Sequence, residues 1–259
     1  MKVSVVTPVL NDRRVGRALD SVLRQEHDRL LELVVIDGGS TDGTLDVLER
    51  YRDKIVLMSE PDHGIYDAMN KGIERATGDI VGILNADDQY NGRFVLRDVA
   101  AAFDDPTVGA CYGNLVYVNS KGQVVRYWKA GRSRRLKWHL GWMPPHPTFF
   151  VRKCVYQRHG LFNLGFPIAA DYELMLRLIV KHKIPPAYLD RVLVKMAPGG
   201  NANRSALQVI KANLEVSRAW RVNRLRGGFL VPFLKPGQKV FQFLSRPPDE
   251  GRLTQGGTS

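Results

Sequence analysis

An α/β fold built on an open, mostly parallel sheet flanked by helices is what this sequence predicts, and three observations predict it. Strand-length apolar runs alternate with stripes at helical spacing through the first hundred residues. The runs are apolar throughout, as expected of strands covered on both faces, rather than alternating apolar and polar. Three polar clusters follow strands, at residues 7–11, 37–42 and 85–88. Alternation of this kind implies parallel strands joined by right-handed helical crossovers. In such sheets ligands sit beyond the carboxyl ends of the strands.

The elements follow in order. Val3-Ser4-Val5-Val6 reads as the first strand; its apolar run is too short for a signal peptide. Val15, Ala18, Leu19, Val22 and Leu23 recur at helical spacing. Leu33-Val34-Val35-Ile36 is the second strand, and the turn-rich 37–43 leads to a helix over 44–51, with Asp42 as its N-cap. Ile55-Val56-Leu57-Met58 is the third strand. Ile65, Ala68, Met69, Gly72, Ile73 and Ala76 form a helical stripe closed by Gly78. Ile80-Val81-Gly82-Ile83-Leu84 is the fourth strand. Beyond residue 105 the rhythm loosens. Residues 115–118 and 124–128 read as a hairpin, 144–147 as a Pro-rich loop, and 171–181 and 205–223 as helices.

The chain has 259 residues, ample for a buried core, and a net charge of +12 that hides a division. Residues 1–105 carry 13 Lys and Arg against 20 Asp and Glu, or −7; residues 106–259 carry 25 against 6, or +19. From 106 to 170 there are ten basic residues and no acidic one. This asymmetry bears on partners and leaves nucleic acid, an anionic membrane and a phosphate-rich substrate as candidates. Cys111 and Cys154 are too few for a disulfide framework or a cysteine-only zinc site, which points to a reducing, cytosolic compartment. No apolar run approaches the roughly 18 to 20 residues needed to span a bilayer.

The polar clusters carry the chemistry. Carboxylates in Asn85-Ala86-Asp87-Asp88, just after a buried strand, can hold Mg²⁺ or Mn²⁺, which take oxygen ligands and share them with phosphates; the plain alternative is a turn. The segment 37–44 lacks the Gly spacing of a dinucleotide fold and the Gly-Lys-Ser/Thr of a P-loop. Gly39 stands where a phosphatase-like motif wants a second Asp. Asp37, at the strand tip, is free to receive a base or ribose hydroxyl.

Taken together, Val3-Ser4-Val5-Val6-Thr7-Pro8-Val9-Leu10-Asn11, Val35-Ile36-Asp37-Gly38-Gly39-Ser40-Thr41-Asp42-Gly43-Thr44 and Asn85-Ala86-Asp87-Asp88 resemble the three signatures of family 2 glycosyltransferases. Glu60-Pro61-Asp62-His63-Gly64-Ile65-Tyr66-Asp67-Ala68-Met69-Asn70-Lys71-Gly72 resembles a subgroup found in bacterial polysaccharide and glycolipid assembly. The resemblance covers roughly residues 1–200. It implies a GT-A fold, a nucleotide-diphosphate sugar donor, a Mg²⁺ or Mn²⁺ cofactor and inversion at the anomeric carbon. By position, Thr7, Pro8, Asn11, Asp37, Lys71, Asn85 and Asp87 would line the donor site. Asn85 stands where the family usually has the first Asp of Asp-x-Asp, so the metal would rest on Asp87; Asp88 is a lesser candidate.

Asp171 matches the catalytic Asp that precedes a helix, while Ala170 replaces the usual Glu. As first acid after the acid-free stretch, Asp171 is expected among cations that keep it ionised; the plain alternative is a helix cap. His146 resembles a histidine of the subgroup and is a further candidate for a metal, phosphate or acceptor contact. The implied organisation is a catalytic domain over 1–200, with 1–105 the nucleotide-sugar half and 106–200 the acceptor side, followed by a basic amphipathic extension over 201–259. A catalytically weak protein of the same fold that only binds a nucleotide sugar or glycan is the alternative. A nucleotidyltransferase is disfavoured, because Asn11-Asp12-Arg13 is not a basic Gly-rich loop.

The basic half has its own reading. Arg132, Arg134, Arg135 and Lys137 lie near Trp128, Trp138 and Trp142, which could stack on bases, yet no nucleic-acid-binding signature accompanies them. From 221 to 246, basic residues alternate with Phe, Leu and Val and no acid intervenes, the composition of an interfacial membrane anchor. The expected acceptor is a lipid-linked or polymeric glycan met at the inner face of the cell membrane.

Overall fold

The computed structural model describes residues 1–26, 30–197, 206–228 and 231. Four strands, β1 (Lys2–Val9), β2 (Leu30–Asp37), β3 (Val56–Ser59) and β4 (Ile80–Ile83), pair in parallel in the order β3-β2-β1-β4. Alternate residues of these strands enter opposite clusters. Val3, Val5, Leu33, Val35 and Ile80 face one layer, whereas Val6, Val34, Ile36, Val81 and Ile83 face the other. Burial on both sides is the reason for their unbroken apolar runs.

Between the strands run α1 (Val15–Leu23), α2 (Thr44–Glu49) and α3 (Ile65–Arg75). The expected stripes are the buried ones: Val15, Ala18, Leu19 and Val22 in α1, and Ala68, Met69, Gly72 and Ile73 in α3. A Cβ on Gly72 would fall 2.2 Å from Val6 Cγ1, so this glycine lets α3 lie directly on β1. The N-cap of α2 is Gly43, with φ of +90°, not Asp42. Asp42 still accepts the Thr44 N–H at 3.0 Å and the Thr44 hydroxyl at 2.5 Å, one residue outside the expected place. At the start of the strands, Glu32 of β2 accepts from Ser4 Oγ, Lys2 Nζ and both the N–H and hydroxyl of Thr77. Burial raises the Glu32 pKa, but those bonds outweigh it and hold the carboxyl down at about 2.

The second half extends the same sheet. After β5 (Gln89–Tyr90) and α4 (Val95–Ala102) come β6 (Ala110–Val118) and β7 (Val124–Trp128), the expected hairpin. Then follow α5 (Arg135–His139), β8 (Phe150–Arg152), α6 (Lys153–His159), α7 (Ala170–Met175), β9 (Pro186–Met196) and α8 (Ala206–Val222). The nine strands order as β3-β2-β1-β4-β8-β6-β9-β5, with β7 on β6. The reversed β8 sits between β4 and β6, so β6 and β9 run the same way as β1–β4. The sheet is thus mixed but mostly parallel.

The helix expected over 171–181 is α7 continued by a π-helical stretch, Leu176–Lys181. Val216, Ala219 and Trp220 of α8 are buried in the cluster that covers one face of the sheet. Of the proposed membrane anchor, only residues 221–228 and 231 are described; the rest lies outside the described residues. Among the described residues no helix is long and apolar enough to cross a membrane.

Candidate active site

The order β3-β2-β1-β4 reverses direction at β1, and the three polar clusters meet beyond the ends of β2, β1 and β4. Asp37 closes β2 opposite Val9 and is fully buried. Its Oδ2 accepts from the N–H groups of Gly39 and Ser40, both at 3.1 Å, and from Ser59 Oγ at 2.7 Å. Its Oδ1 is buried with no partner. One oxygen therefore shapes the loop and the other is left for a ligand. Thr7 Oγ1, in the neighbouring strand, is likewise buried and unpartnered.

Asn11 adopts the left-handed region, φ 50°, and joins the β1 and β2 loops. Its Oδ1 accepts the Thr41 N–H and its own N–H donates to Ser40 Oγ, both at 2.8 Å. In this state its side-chain oxygen serves loop structure. Lys71, on α3, pairs with Glu60 at 2.8 Å and Asp67 at 3.5 Å, and donates to the Pro61 carbonyl at 3.0 Å. The Glu60 bond first, then the two carboxylate charges, raise its pKa.

The segment after β4 forms a tight turn, with Asp88 N–H donating to the Asn85 carbonyl at 3.1 Å. Asn85 Nδ2 donates to Asp88 Oδ2 at 2.9 Å, and the Oδ1 atoms of both residues are buried without partners. Burial, then the neighbouring Asp87 charge, pushes the Asp88 carboxyl well above the usual carboxylate range. Asp87 differs: its side chain is 29% exposed and lies 3.6 Å from Arg14 Nη2. Arg14 is itself gripped by Asp12, through Nε at 2.9 Å and Nη2 at 2.6 Å.

Among the described residues no group of three or more His, Cys, Asp or Glu is gathered to hold a metal. One accessible carboxylate suits instead a hard cation that takes most of its ligands from phosphate oxygens and water, as Mg²⁺ commonly does. Asp87 fits that requirement, and Asp88, buried and biased to its neutral form, does not. Arg14 went unnoticed in the sequence. Its only signal was two arginines directly after Asn11-Asp12.

Asp171 lies beside α3, within reach of Tyr66. It occupies the first turn of α7, where Ala169 is the N-cap and no side chain of the helix caps it. The capping role falls to Glu215 of α8, whose Oε2 accepts the N–H groups of Ile168 at 3.0 Å and Ala169 at 2.7 Å. Asp171 is thus not consumed as a cap. Tyr66, on α3, places its hydroxyl 3.3 Å from Asp171 Oδ1 while donating to the Ile168 carbonyl at 2.9 Å. The Tyr66 ring stacks on Phe162 at 5.4 Å. The Asn70 side chain fixes Phe162 in turn, its Nδ2 donating to the Phe162 carbonyl at 3.0 Å and its Oδ1 accepting the Phe162 N–H at 2.9 Å.

His146 stands edge-on to Phe162 at 5.9 Å, with Nε2 buried and unpartnered. Burial lowers its pKa, and the Asp171 charge partly offsets this, so the ring is neutral at pH 7. The expected cations around Asp171 are not there: among the described residues no ion pair reaches it. Its neighbours are instead Tyr66 and His146, because Arg132, Arg134 and Arg135 of the acid-free stretch are exposed to solvent. Tyr66 and Glu215 are the residues the sequence reading missed here. Tyr66 lay inside a quoted motif; Glu215, 44 positions after Asp171, gave no local signal.

Comparison with known proteins bears on this arrangement. The glycosyl transferase family 2 model matches residues 4–162. A PGL/p-HBAD biosynthesis glycosyltransferase of Mycobacterium bovis is 30% identical over 196 residues, 73% of this chain and 74% of its own. An uncharacterized glycosyltransferase of Mycobacterium tuberculosis is 31% identical over 192 residues, 68% of each. The backbone superposes on Staphylococcus aureus TarS 1–349 in complex with UDP-GlcNAc, with a TM-score of 0.64, 18% identity and coverage of 99% of this chain and 76% of that one. It superposes equally on the mannosyltransferase PcManGT of Pyrobaculum calidifontis in complex with GDP-Man and Mn²⁺, at 0.64, 19% identity, 99% and 76%. These neighbours place the architecture in the GT-A fold. The matched signatures, the sheet and the relatives agree, and the chain belongs to glycosyl transferase family 2 as a glycosyltransferase.

Proposed function

We propose that this glycosyltransferase is an inverting, metal-dependent enzyme that moves a sugar from a nucleotide-diphosphate donor to a hydroxyl of a lipid-linked or polysaccharide acceptor. It works at the cytoplasmic face of the membrane. The observation that carries the donor reading is the set of buried, unpartnered oxygens of Thr7, Asp37, Asn85 and Asp88 beyond the parallel strands. An unsatisfied buried acceptor costs roughly 1–3 kcal/mol, which a ligand bearing N–H and O–H groups recovers on binding. A nucleoside carries both kinds of donor. The solved neighbours crystallised with UDP-GlcNAc and GDP-Man support the same class of ligand.

In this reading Thr7, Pro8, Asn11 and Asp37 bind the nucleoside, Lys71 and Asn85 complete the donor site, and Asp87 holds Mg²⁺ or Mn²⁺. The cation, when bound, neutralises charge that develops on the leaving diphosphate. Asp171 acts as general base. The acceptor oxygen bonds to the anomeric carbon from the face opposite the diphosphate. The old carbon–oxygen bond breaks with its electron pair going to the diphosphate, and the hydroxyl proton passes to the Asp171 carboxylate. Tyr66 fixes one oxygen of that carboxylate and leaves the other to accept. His146, with its buried and unpartnered Nε2, is the further candidate for an acceptor contact.

Radiolabelled transfer from a panel of nucleotide sugars, with and without Mn²⁺, tests the reading against a non-catalytic binder. Asp171→Asn should lower kcat by about 10² to 10⁴, the usual worth of a general base, with nucleotide affinity unchanged. Its melting temperature should also be unchanged, because no capping bond is lost. Wild-type turnover in this variant would remove Asp171 from the mechanism and make His146 the base to test.

A further inference from the structure

The acid-free stretch has one feature that the donor and base sites do not use. Arg132, Arg134 and Arg135 are exposed, and among the described residues none of them forms an ion pair. Between them and Lys137, Leu136 is 71% exposed, and Leu140, one turn further on, is 40% exposed. Leucines four apart share a helix face. The opposite face of α5 is locked into the core by Trp138, fully buried, edge-on to Trp142 at 5.3 Å and beside Tyr172 at 6.0 Å. The outward face therefore cannot turn in to hide its leucines.

The end of α8 adjoins this face. The His139 ring lies 4.8 Å from the Trp220 ring, and a Cβ on Gly227 would fall 2.5 Å from His139 Nδ1. Between those two contacts the chain carries Arg221, Arg224 and Arg226, all exposed, with Val222 48% exposed among them. Two basic segments without an ion pair among the described residues, each with a protruding aliphatic side chain, thus adjoin each other through His139.

We propose that this side, formed by residues 132–136 of the α5 region and 221–226 at the end of α8, is a docking face for an anionic lipid bilayer. Clustered arginines match the charge of anionic headgroups, and leucine and valine standing proud among them match the acyl boundary below. A nucleic acid would want exposed aromatic rings for stacking, and Trp138, Trp142 and Trp220 are all buried. The helix α8 that ends in this face is also tied to α7, which carries the proposed base. Trp220 Nε1 donates to the Tyr172 hydroxyl at 2.9 Å, and Tyr172 follows Asp171 in α7. A bilayer seated there brings an acceptor headgroup to the acceptor side of the enzyme. That last consequence rests on the proposed acceptor, whereas the docking face stands on charge and exposure alone.

The test is flotation of the full chain with phosphatidylcholine vesicles, with and without phosphatidylglycerol, at low and high salt, alongside titration of the same samples with UDP, GDP, ADP and dTDP. Binding should require the anionic lipid and weaken at high salt without vanishing. Replacing Arg132, Arg134 and Arg135 together by Gln should weaken partition roughly 100-fold, at about 1 kcal/mol per cation near the surface. Leu136→Ser should weaken it about tenfold with the salt response unchanged, since buried apolar area is not screened. All four positions are exposed, so melting temperatures should match the wild type. Absence of wild-type binding to anionic vesicles at low salt would overturn the proposal, as would wild-type binding by the triple variant. Equal capture by polyphosphate or RNA with no effect of Leu136→Ser would overturn it in favour of a polyanion site. Failure of the same samples to bind any of UDP, GDP, ADP or dTDP, with vesicle binding intact, would sink the donor reading and leave the docking face standing.

Discussion

Arg14 stands 3.6 Å from Asp87, the carboxylate that would hold the proposed cation, so the two positive charges would compete for it. Asp12 holds Arg14 by two bonds, at 2.9 and 2.6 Å, whereas Asp87 lies at 3.6 Å, so Asp87 is the looser partner. Cation binding then has to displace a charge that remains tethered nearby. Arg14→Gln should tighten Mn²⁺ binding by up to about fivefold, the ceiling for an exposed ion pair. Loss of the free Mn²⁺ electron paramagnetic resonance signal on titration measures this without turnover. Unchanged affinity in that variant, together with unchanged affinity in Asp87→Ala, would show that Asp87 is not the ligand. Asn85 bears on the same question. Its amide is committed to Asp88, so it offers a cation one neutral oxygen where the family usually has a carboxylate.

Two ties between elements decide how firmly the site is held. The first is Glu215, which satisfies two N–H groups at the start of α7 from α8, across 46 and 47 residues of chain. Glu215→Ala strands those donors at a cost of roughly 1–3 kcal/mol and loosens the turn that carries Asp171. We expect a lower melting temperature, a lower kcat and unaltered nucleotide affinity, with Glu215→Gln restoring much of each because an amide oxygen still accepts. The second tie is Glu32, which binds Lys2, Ser4 and Thr77 at the base of the sheet. Its folded pKa, about 2, lies below the unfolded carboxylate value. Its contribution is therefore present in full above the unfolded value and lost as pH falls toward 2. Glu32→Gln should melt several degrees lower than wild type at pH 7, and the gap should close in acid. A gap independent of pH would mean that the bonds, and not the charge, carry the effect.

For the molecule as a whole, the two halves of the chain divide the work by charge. The acidic half, −7, builds the proposed donor and cation site, and the basic half, +19, carries the proposed base and the proposed docking face. The helix α8 belongs with the second half by packing: Trp220 bonds Tyr172, Asn223 bonds Glu173, and Glu215 caps α7. Ending the chain after Ala197 should therefore cost on the order of 5 kcal/mol through lost burial and stranded polar groups. Ending it after Gly228 removes Val231, buried in the same core, and should also lower the melting temperature, though by less. A chain stopped at Ala197 that melts normally would show that α8 is dispensable to the domain.

What the sequence by itself determined is the part of the protein whose signal is local. The strands β1 to β4 and helices α1 and α3 were legible because apolar spacing repeats within a few residues, and the same periodicity located the polar clusters at the strand ends. The expected β1 to β4 fell within three residues of the observed bounds, and β6 begins five residues before the expected start, since end residues such as Leu30 and Val9 carry no periodic mark. The placement of Asp37 and Asp87 at strand ends was legible, not the state of their side chains. Only tertiary structure decided that one oxygen of Asp37 is spent on its loop, that Asp88 is buried and disfavours ionisation, and that Arg14 stands against Asp87. It alone placed the three-residue β8 between β4 and β6 and ran β9 beside β6, pairings made across gaps of about 40 to 80 residues. It also turned the tryptophans of the basic half inward and found the cap of α7 on another helix. Such features arise when distant segments compete for the same buried space and the same unpaired N–H groups, and no short window of sequence records how that competition ends.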